Sequence, residues 1–84
     1  MNFLIIYNYD EYFKANEAES PNEAIIMLAK DFYDEEVPEY MLKAIRANTD
    51  SIHNAISLFN IMFSQVHINY MYQISDTIYD EDRD

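Results

Sequence analysis

Carboxylate side chains are the most abundant chemically active groups in this sequence. Sixteen Asp and Glu residues outnumber five Lys and Arg residues, which gives a formal net charge of -11. Two carboxylates can act as general acid and general base, but only where a cleft gives them unequal environments. The best-spaced group is Asp31, Asp34 and Glu35, which could share one helix face. In a chain of 84 residues without glycine, we expect a solvated acidic face here and no catalytic cleft.

The other patterns that carry catalysis or bind metals are missing from the sequence. The two histidines, His53 and His67, form no pair at metal-binding spacing, and there is no cysteine to bind zinc. Without glycine, neither a nucleophile elbow nor a phosphate-binding loop can form. Asp80, Asp82 and Asp84 have the spacing that opens a calcium loop, but the glycine and the closing glutamate are absent. We therefore predict no enzymatic activity, no cofactor and no metal site.

Acidic residues are interleaved with tyrosines in several short segments. Carboxylates two residues apart on an extended chain lie roughly 7 Å from each other, close to the spacing of phosphates along one nucleic-acid strand. Glu17 with Glu19, or Asp80 with Asp82, could therefore imitate a stretch of phosphate backbone. Grooves rich in arginine accept carboxylates by the same bidentate geometry as phosphates, and tyrosine is favoured in protein interfaces. The candidate partner-binding residues are Asp10, Glu11, Glu17, Glu19, Asp31, Tyr33, Asp34, Glu35, Glu36, Glu39 and Tyr40.

The eight tyrosines divide between the core and the surface. We expect Tyr70 and Tyr72 to be buried, because they fall on the apolar side of an alternating segment near the C-terminus. For four tyrosines flanked by acidic residues, burial and an exposed role in binding remain equally open: Tyr9, Tyr33, Tyr40 and Tyr79.

The net charge restricts the kind of partner. A surface this acidic repels nucleic acid and anionic membranes, and it attracts basic grooves. Solubility alone accounts for a net charge of about 2 to 8 in a small domain, so the value of -11 favours a functional role. We expect a basic, nucleic-acid-binding protein as partner, without direct contact to nucleic acid or membrane. An alternative remains open: an interaction module or homodimer whose apolar helix face or edge strand makes the contact.

Periodicity and capping signals predict the N-terminal elements. Residues 3–7 are apolar and rich in β-formers, so we predict a buried strand, followed by a turn over residues 8–11 and a second strand over residues 12–16. Ser20, Pro21 and Glu23 form a capping box with proline at the first helical position. Apolar residues then recur at helical spacing, which predicts an amphipathic helix over residues 20–33.

The C-terminal half predicts two more helices and a strand. Pro38 begins a second helix that ends near Asn48, and Thr49 or Asp50 caps a third helix over residues 50–64. From Val66 the apolar period becomes two, which predicts a strand over residues 66–75, although the spacing also permits a continuation of the third helix. The β-branched and aromatic content favours the strand.

These elements define one domain over residues 1–79, followed by a polar tail over residues 80–84. The predicted fold class is α+β: an N-terminal strand or hairpin, three helices, and a C-terminal strand packed beside the first.

In type, the chain resembles the small acidic proteins that phages and mobile elements encode against bacterial defences, including anti-CRISPR and anti-restriction DNA mimics. The resemblance covers size, acidity, lack of cysteine and a composition rich in Asn, Ile and Tyr. It implies stoichiometric blockade of a defence nuclease or a similar protein in the bacterial host cell. Residues 1–7 lack a basic region and a cleavage site, and their apolar run is too short to cross a bilayer, so we expect a cytoplasmic location.

Overall fold

The computed structural model describes residues 1–75. The strands are β1 (Asn2–Tyr7), β2 (Glu11–Ala15) and β3 (Ile68–Ile74), and the helices are α1 (Pro21–Phe32), α2 (Glu39–Ala47) and α3 (Ile52–Met62). The strands form an antiparallel sheet in the order β2-β1-β3. The predicted α+β architecture is confirmed, including a C-terminal strand beside the first. The predicted tail over residues 80–84 lies outside the described residues.

The core lies between one face of the sheet and the helices. In β1, Phe3 and Ile5 are fully buried, whereas Leu4 and Ile6, which alternate with them, point to the opposite face and are half-buried. Helix α1 contacts β2, and α3 contacts β3. Within residues 1–75, no helix is both long and apolar enough to cross a membrane. The largest fully buried side chains are Phe3, Ile5, Ile25, Leu28, Ile45, Phe59, Val66 and Ile68.

Helix α1 starts where its sequence predicts, and the Ser20 half of the predicted capping box is formed, whereas the Glu23 carboxylate binds Arg46. The Ser20 hydroxyl accepts a hydrogen bond from the Glu23 backbone N–H at 3.2 Å, and Pro21 occupies the first helical turn. Both carboxylate oxygens of Glu23 accept hydrogen bonds from Arg46, at 2.8 and 3.3 Å. The first turn of α1 is thereby tied to α2.

The start of α3 differs from the prediction by one residue. Its N-cap is Ser51, whose hydroxyl accepts from the Asn54 N–H at 3.1 Å, so the prediction of Thr49 or Asp50 is wrong. Asp50 is used elsewhere: its Oδ1 accepts from the Asn22 N–H at 3.1 Å, in the first turn of α1. Asp50 therefore connects the starts of two helices that are distant in sequence.

The chain changes from helix to strand between Met62 and Ile68. Helix α3 ends at Met62, so the alternative of a continuous third helix is wrong. The Asn60 side chain donates to the Ile68 carbonyl at 3.0 Å and accepts from the Ile68 N–H at 2.7 Å. The Asn60 side chain thus bonds to both backbone groups of Ile68, as a neighbouring strand would, and this fixes where β3 begins.

The burial predicted for Tyr70 and Tyr72 is wrong. Their side chains are 59% and 50% exposed, and the intervening Met71 is buried. The cause is an irregularity in the ladder: Ile6 pairs with Tyr70 and Tyr7 pairs with Ile68, so Asn69 has no opposite residue. Because strand side chains alternate with a period of two, one extra residue exchanges the two faces of the strand beyond it.

Candidate partner-binding surface

Acidic side chains in the described part of the chain lie at the surface. All of them are exposed except Glu23, which is half-buried. Apart from Asp50, which accepts a hydrogen bond from Asn22, they fall into three groups. These are the β1–β2 hairpin with the end of α1, the start of α1 beside α2, and the connection between α1 and α2. The predicted partner-binding residues are therefore spread around the molecule and do not form a single cluster.

The first group surrounds Tyr7. Burial, followed by the charges of Glu11 and Asp31, raises the pKa of Tyr7 above its ordinary value of 10.0. Asp10 lies in the turn between β1 and β2, Glu11 is the first residue of β2, and both are exposed. Glu11 at the start of β2 and Asp31 near the end of α1 thus both act on this one hydroxyl group.

The second group surrounds Arg46. Its Nε atom lies 2.8 Å from Glu23 Oε2. Hydrogen bonding to Glu23 and the charge of that carboxylate raise the pKa of Arg46, and the charges of Glu39 and Glu19 add to the effect. This group contains its own cation, so its attraction for a basic partner is partly neutralised.

The phosphate-like spacing predicted for the Glu17 and Glu19 carboxylates required an extended chain, which the structure does not have here. Glu17 has a φ of 63°, so this backbone is left-handed and not extended. Glu17 and Glu19 instead line a depression together with Met27 and Arg46. The second pair predicted at phosphate spacing, Asp80 with Asp82, lies outside the described residues.

The third group, which we call the acidic junction, consists of Asp34, Glu35, Glu36 and Glu39. Helix α1 ends at Phe32, and Asp34 and Glu35 follow with φ values of 53° and 65°. The expectation that Asp31, Asp34 and Glu35 share a helix face is therefore wrong. The left-handed backbone turns these two carboxylates away from the helix, and both are exposed.

Backbone hydrogen bonds hold the acidic junction in place. The Glu35 N–H donates to the Lys30 carbonyl at 2.6 Å, and the Glu36 N–H donates to the Tyr33 carbonyl at 3.0 Å. Glu39 follows in the first turn of α2, where a negative charge is favourable. The four carboxylates of the junction thus belong to a segment with defined backbone geometry.

The tyrosines that the sequence left open take different positions. Tyr9 and Tyr40 are 82% and 73% exposed. Tyr33 is half-buried, and its ring centre lies 5.5 Å from that of Phe63. Tyr33 therefore packs against the core next to the acidic junction, whereas Tyr40 is exposed close to Glu39 and free to contact a partner. Tyr79 lies outside the described residues.

A groove of about 300 Å³ opens beside the acidic junction. Sequence reasoning missed it, because its walls come from the α1–α2 connection, α2 and the end of α3. Glu36, Ser64 and Gln65 also line this groove, so it is polar on one side and apolar on the other. The apolar walls are Tyr33, Val37, Pro38, Met41, Met62 and Phe63.

Sequence reasoning also missed a second surface, on the sheet. No described element covers the sheet face opposite the helices. We call it the open sheet face; its side chains are Leu4, Ile6, Tyr12, Lys14, Tyr70 and Tyr72. The rings of Tyr70 and Tyr72 stack with centres 6.1 Å apart, and Lys14 Nζ lies 5.7 Å from the centre of the Tyr12 ring. The face carries no Asp or Glu among residues 1–75.

Within residues 1–75, no group of three His, Cys, Asp or Glu side chains could hold a metal ion. His53 and His67 are both exposed. Comparisons with protein-family models, with curated proteins and with solved structures find no match for this chain. Its function is therefore inferred from the surface itself.

Proposed function

We propose that this chain is a stoichiometric protein inhibitor whose acidic junction occupies a basic, nucleic-acid-binding surface of another protein. Carboxylates take the place of phosphates in this contact, because arginine and lysine bind both groups by charge-assisted hydrogen bonds. The observation that supports the proposal most is the exposure of Asp34, Glu35 and Glu36 on a segment held by its own backbone bonds.

Pre-organisation makes the junction a better candidate than the other acidic groups. A flexible acidic segment must be ordered on binding, which lowers its affinity. Two backbone hydrogen bonds already hold Glu35 and Glu36 in the free protein. The negative charge of the acids around Arg46, by contrast, is partly neutralised by that cation.

The groove beside the junction supplies an apolar contact to accompany the charges. Interfaces draw most of their binding energy from a few side chains seated in desolvated pockets. A partner that places a lysine or arginine against Glu36 can insert a neighbouring apolar side chain between Val37 and Met62. Tyr40, exposed on α2, adds an aromatic contact at the edge.

The net charge of -11 makes direct nucleic-acid binding unfavourable and favours fast encounter with basic surfaces. The partner class that fits is a nucleic-acid-binding protein, and the resemblance in type to phage-encoded inhibitors makes a bacterial defence nuclease the most specific form of the proposal. The site of action would then be the bacterial cytoplasm.

The test begins with capture of partners from a bacterial lysate on the immobilised chain, at low and at high salt. A partner held at the junction is released by salt, because screening weakens attraction between exposed charges. The partner's own DNA or RNA should compete with the chain for one site. Inhibition should reach an equivalence point that follows the partner concentration.

Charge reversal locates the contact. Changing Asp34, Glu35, Glu36 and Glu39 to lysine should weaken binding at least about a hundredfold, since attraction becomes repulsion at each position. The matched control reverses Asp10, Glu11, Glu17 and Glu19, which alters net charge equally at other places. If both sets weaken binding equally, overall charge and not the junction is responsible. If neither set weakens binding, the proposal loses its support.

A second candidate function is an interaction module whose charge confers solubility. The open sheet face favours it, because three tyrosines there are exposed without any covering element among residues 1–75. This candidate expects weak salt dependence of partner capture and tolerance of the junction reversals.

A further inference from the structure

The groove beside the acidic junction has walls that are continuous with the hydrophobic core. Phe63 is 6% exposed at the groove, and its ring centre lies 4.6 Å from that of the buried Phe59 and 5.5 Å from that of Tyr33. Val37 and Met62 line the groove beside these rings and are half-buried. Because core packing holds these walls, the groove is formed before a partner arrives, as binding sites usually are.

The groove has room and walls for an aromatic side chain. Its volume is about 300 Å³, whereas a cavity of about 150 Å³ in another protein is enough to hold benzene. Met41 and Met62 have flexible thioether side chains, which adapt to an inserted group and make favourable contacts with aromatic rings. Tyr33 and Phe63 add rings against which another ring can pack.

The charge around the groove selects basic neighbours for that ring. Every charged residue from 31 to 41 is acidic, and Glu36 itself lines the groove. Lys30 and Lys43 flank this segment at its two ends. An aromatic side chain that enters from a basic surface therefore brings the lysines or arginines beside it to the carboxylates of the junction.

We propose that the groove receives an aromatic side chain with which the partner otherwise stacks on a base of single-stranded nucleic acid. Proteins that bind single strands combine a positively charged groove with aromatic side chains on which the bases stack. The carboxylates of the junction then take the place of phosphates, and the walls of the groove take the place of a base. This contact rests on the inhibitory function proposed above, and it narrows the partner class to proteins that bind single-stranded DNA or RNA.

A second depression and a second copy of the chain are weaker candidates for this contact. The lining of the depression combines Glu17 and Glu19 with Arg46, and its apolar part is Ala18 and Met27. Arg46 repels the basic neighbours of an inserted ring. A second copy has a net charge of -11, so the acidic junction repels it.

Short peptides of defined composition test the contact on the full chain. The probe is the capped peptide Arg-Lys-Phe-Arg-Lys, compared with the same peptide carrying alanine in place of phenylalanine. We expect the phenylalanine peptide to bind at least about tenfold more tightly, because burial of one aromatic side chain is sufficient for such a factor. In an NMR titration of isotope-labelled methionine methyl groups, Met41 and Met62 should shift, whereas Met27, at the other depression, should not.

A substitution at the groove and its matched control test the position of the ring. Ser64 is exposed and lines the groove, so Ser64→Phe obstructs it without changing charge or a buried residue. This variant should remove the advantage of the phenylalanine peptide and leave the alanine peptide unaffected. Ser57→Phe, at an exposed position of α3 outside the groove, should leave both affinities unchanged. Circular dichroism confirms folding, and Val37→Ala, which shortens one wall, provides a second variant should Ser64→Phe unfold the chain.

Reversal of the acidic junction to lysine separates this contact from the proposed function. If both peptides bind the parent chain equally and the reversed chain binds neither, the groove has no role and the inhibitor proposal stands. If the phenylalanine peptide binds the reversed chain as tightly as the parent, the charges have no role and the inhibitor proposal fails. If neither peptide shifts Met41 and Met62, the proposed contact is overturned.

The partner captured from the lysate tests the class of nucleic acid. A single-stranded oligonucleotide should displace it from the immobilised chain at least about tenfold more effectively than a duplex of the same sequence, because only unpaired bases are open to stacking on its aromatic side chain. Ser64→Phe should weaken capture of this partner about tenfold, whereas Ser57→Phe should not. Equal or better displacement by the duplex would overturn the assignment to single strands and leave the electrostatic contact of the junction in place.

Discussion

Left-handed backbone positions in this protein carry polar or aromatic side chains, because the sequence has no glycine. A residue with a Cβ atom costs roughly 1–2 kcal/mol in this region, and asparagine or aspartate less. Strained positions of this kind cluster at functional sites. Asp34 and Glu35 form one adjacent pair, in the acidic junction, and Asn8 and Tyr9 form another, in the turn between β1 and β2. The left-handed residues within 1–75 are Asn8, Tyr9, Glu17, Asp34 and Glu35.

Glu35→Gly separates stability from binding. Glycine relieves the strain at a φ of 65° but adds entropy to the unfolded chain, so we expect a net stabilisation of about 0.5 kcal/mol. Binding to the basic partner should weaken, because one carboxylate is lost. Urea unfolding and partner titration measure the two effects. Glu36→Gly is the matched control: its φ is not left-handed, so it should bring no stabilisation.

Tyr7 makes the stability depend on alkaline pH. Burial and the charges of Glu11 and Asp31 raise its pKa, so the folded state holds the phenol proton more tightly than the unfolded state. Its contribution to stability is complete below pH 10.0, the ordinary value, and is lost as pH rises through the folded-state pKa. Thermal unfolding above about pH 9 should therefore show a shallower decline for Tyr7→Phe than for the parent chain. Asp31→Asn, which removes one of the charges, should give an intermediate slope; equal slopes for all three chains would contradict this assignment.

At the scale of elements, asparagine side chains set the position of β3. The Asn8 Oδ1 accepts from the His67 N–H at 2.9 Å, and the Asn69 Oδ1 accepts from the Tyr9 N–H at 2.7 Å. Together with the two bonds from Asn60, these contacts attach the start of β3 to the hairpin turn and to α3. They surround the unpaired residue that turns Tyr70 and Tyr72 outward.

Asn60→Ala should destabilise the domain by about 2 kcal/mol, because it leaves the partly buried N–H and carbonyl of Ile68 without their side-chain partner. Ser57→Ala, at an exposed position of the same helix, should change stability by less than about 0.5 kcal/mol. Urea unfolding at neutral pH measures both. A loss for Asn60→Ala no larger than for Ser57→Ala would show that these bonds do not hold β3.

At the scale of the whole molecule, the two faces of the sheet lead to surfaces of different chemistry. The helix side presents the acidic junction with its groove, and the opposite side presents the open sheet face. The exposed carboxylates of the first suit an electrostatic contact that salt would weaken, whereas the second is rich in aromatic and aliphatic side chains. The net charge of -11 favours attraction of a basic partner, as the proposed function requires.

Much of the fold was predictable from local signals. Ser20 and Pro21 mark the start of α1. An apolar period of 3.6 residues identifies the helices, and a period of two identifies the strands. The surface position of the acids was also predictable, because an unpaired charge is rarely buried. These signals act within one element, so the sequence determined the type and order of the elements and the acidity of the surface.

Only the tertiary structure decided where side chains meet. Asp50 could cap its own helix by sequence, yet its carboxylate accepts from Asn22, 28 positions away. Tyr70 and Tyr72 follow the apolar alternation, yet an unpaired Asn69, held by a turn 60 positions away, reverses their face. The direction of a strand side chain depends on register against a distant strand, and a shift of one residue reverses it. Local periodicity carries no information about that register, which is why the open sheet face and the groove emerged only from the fold.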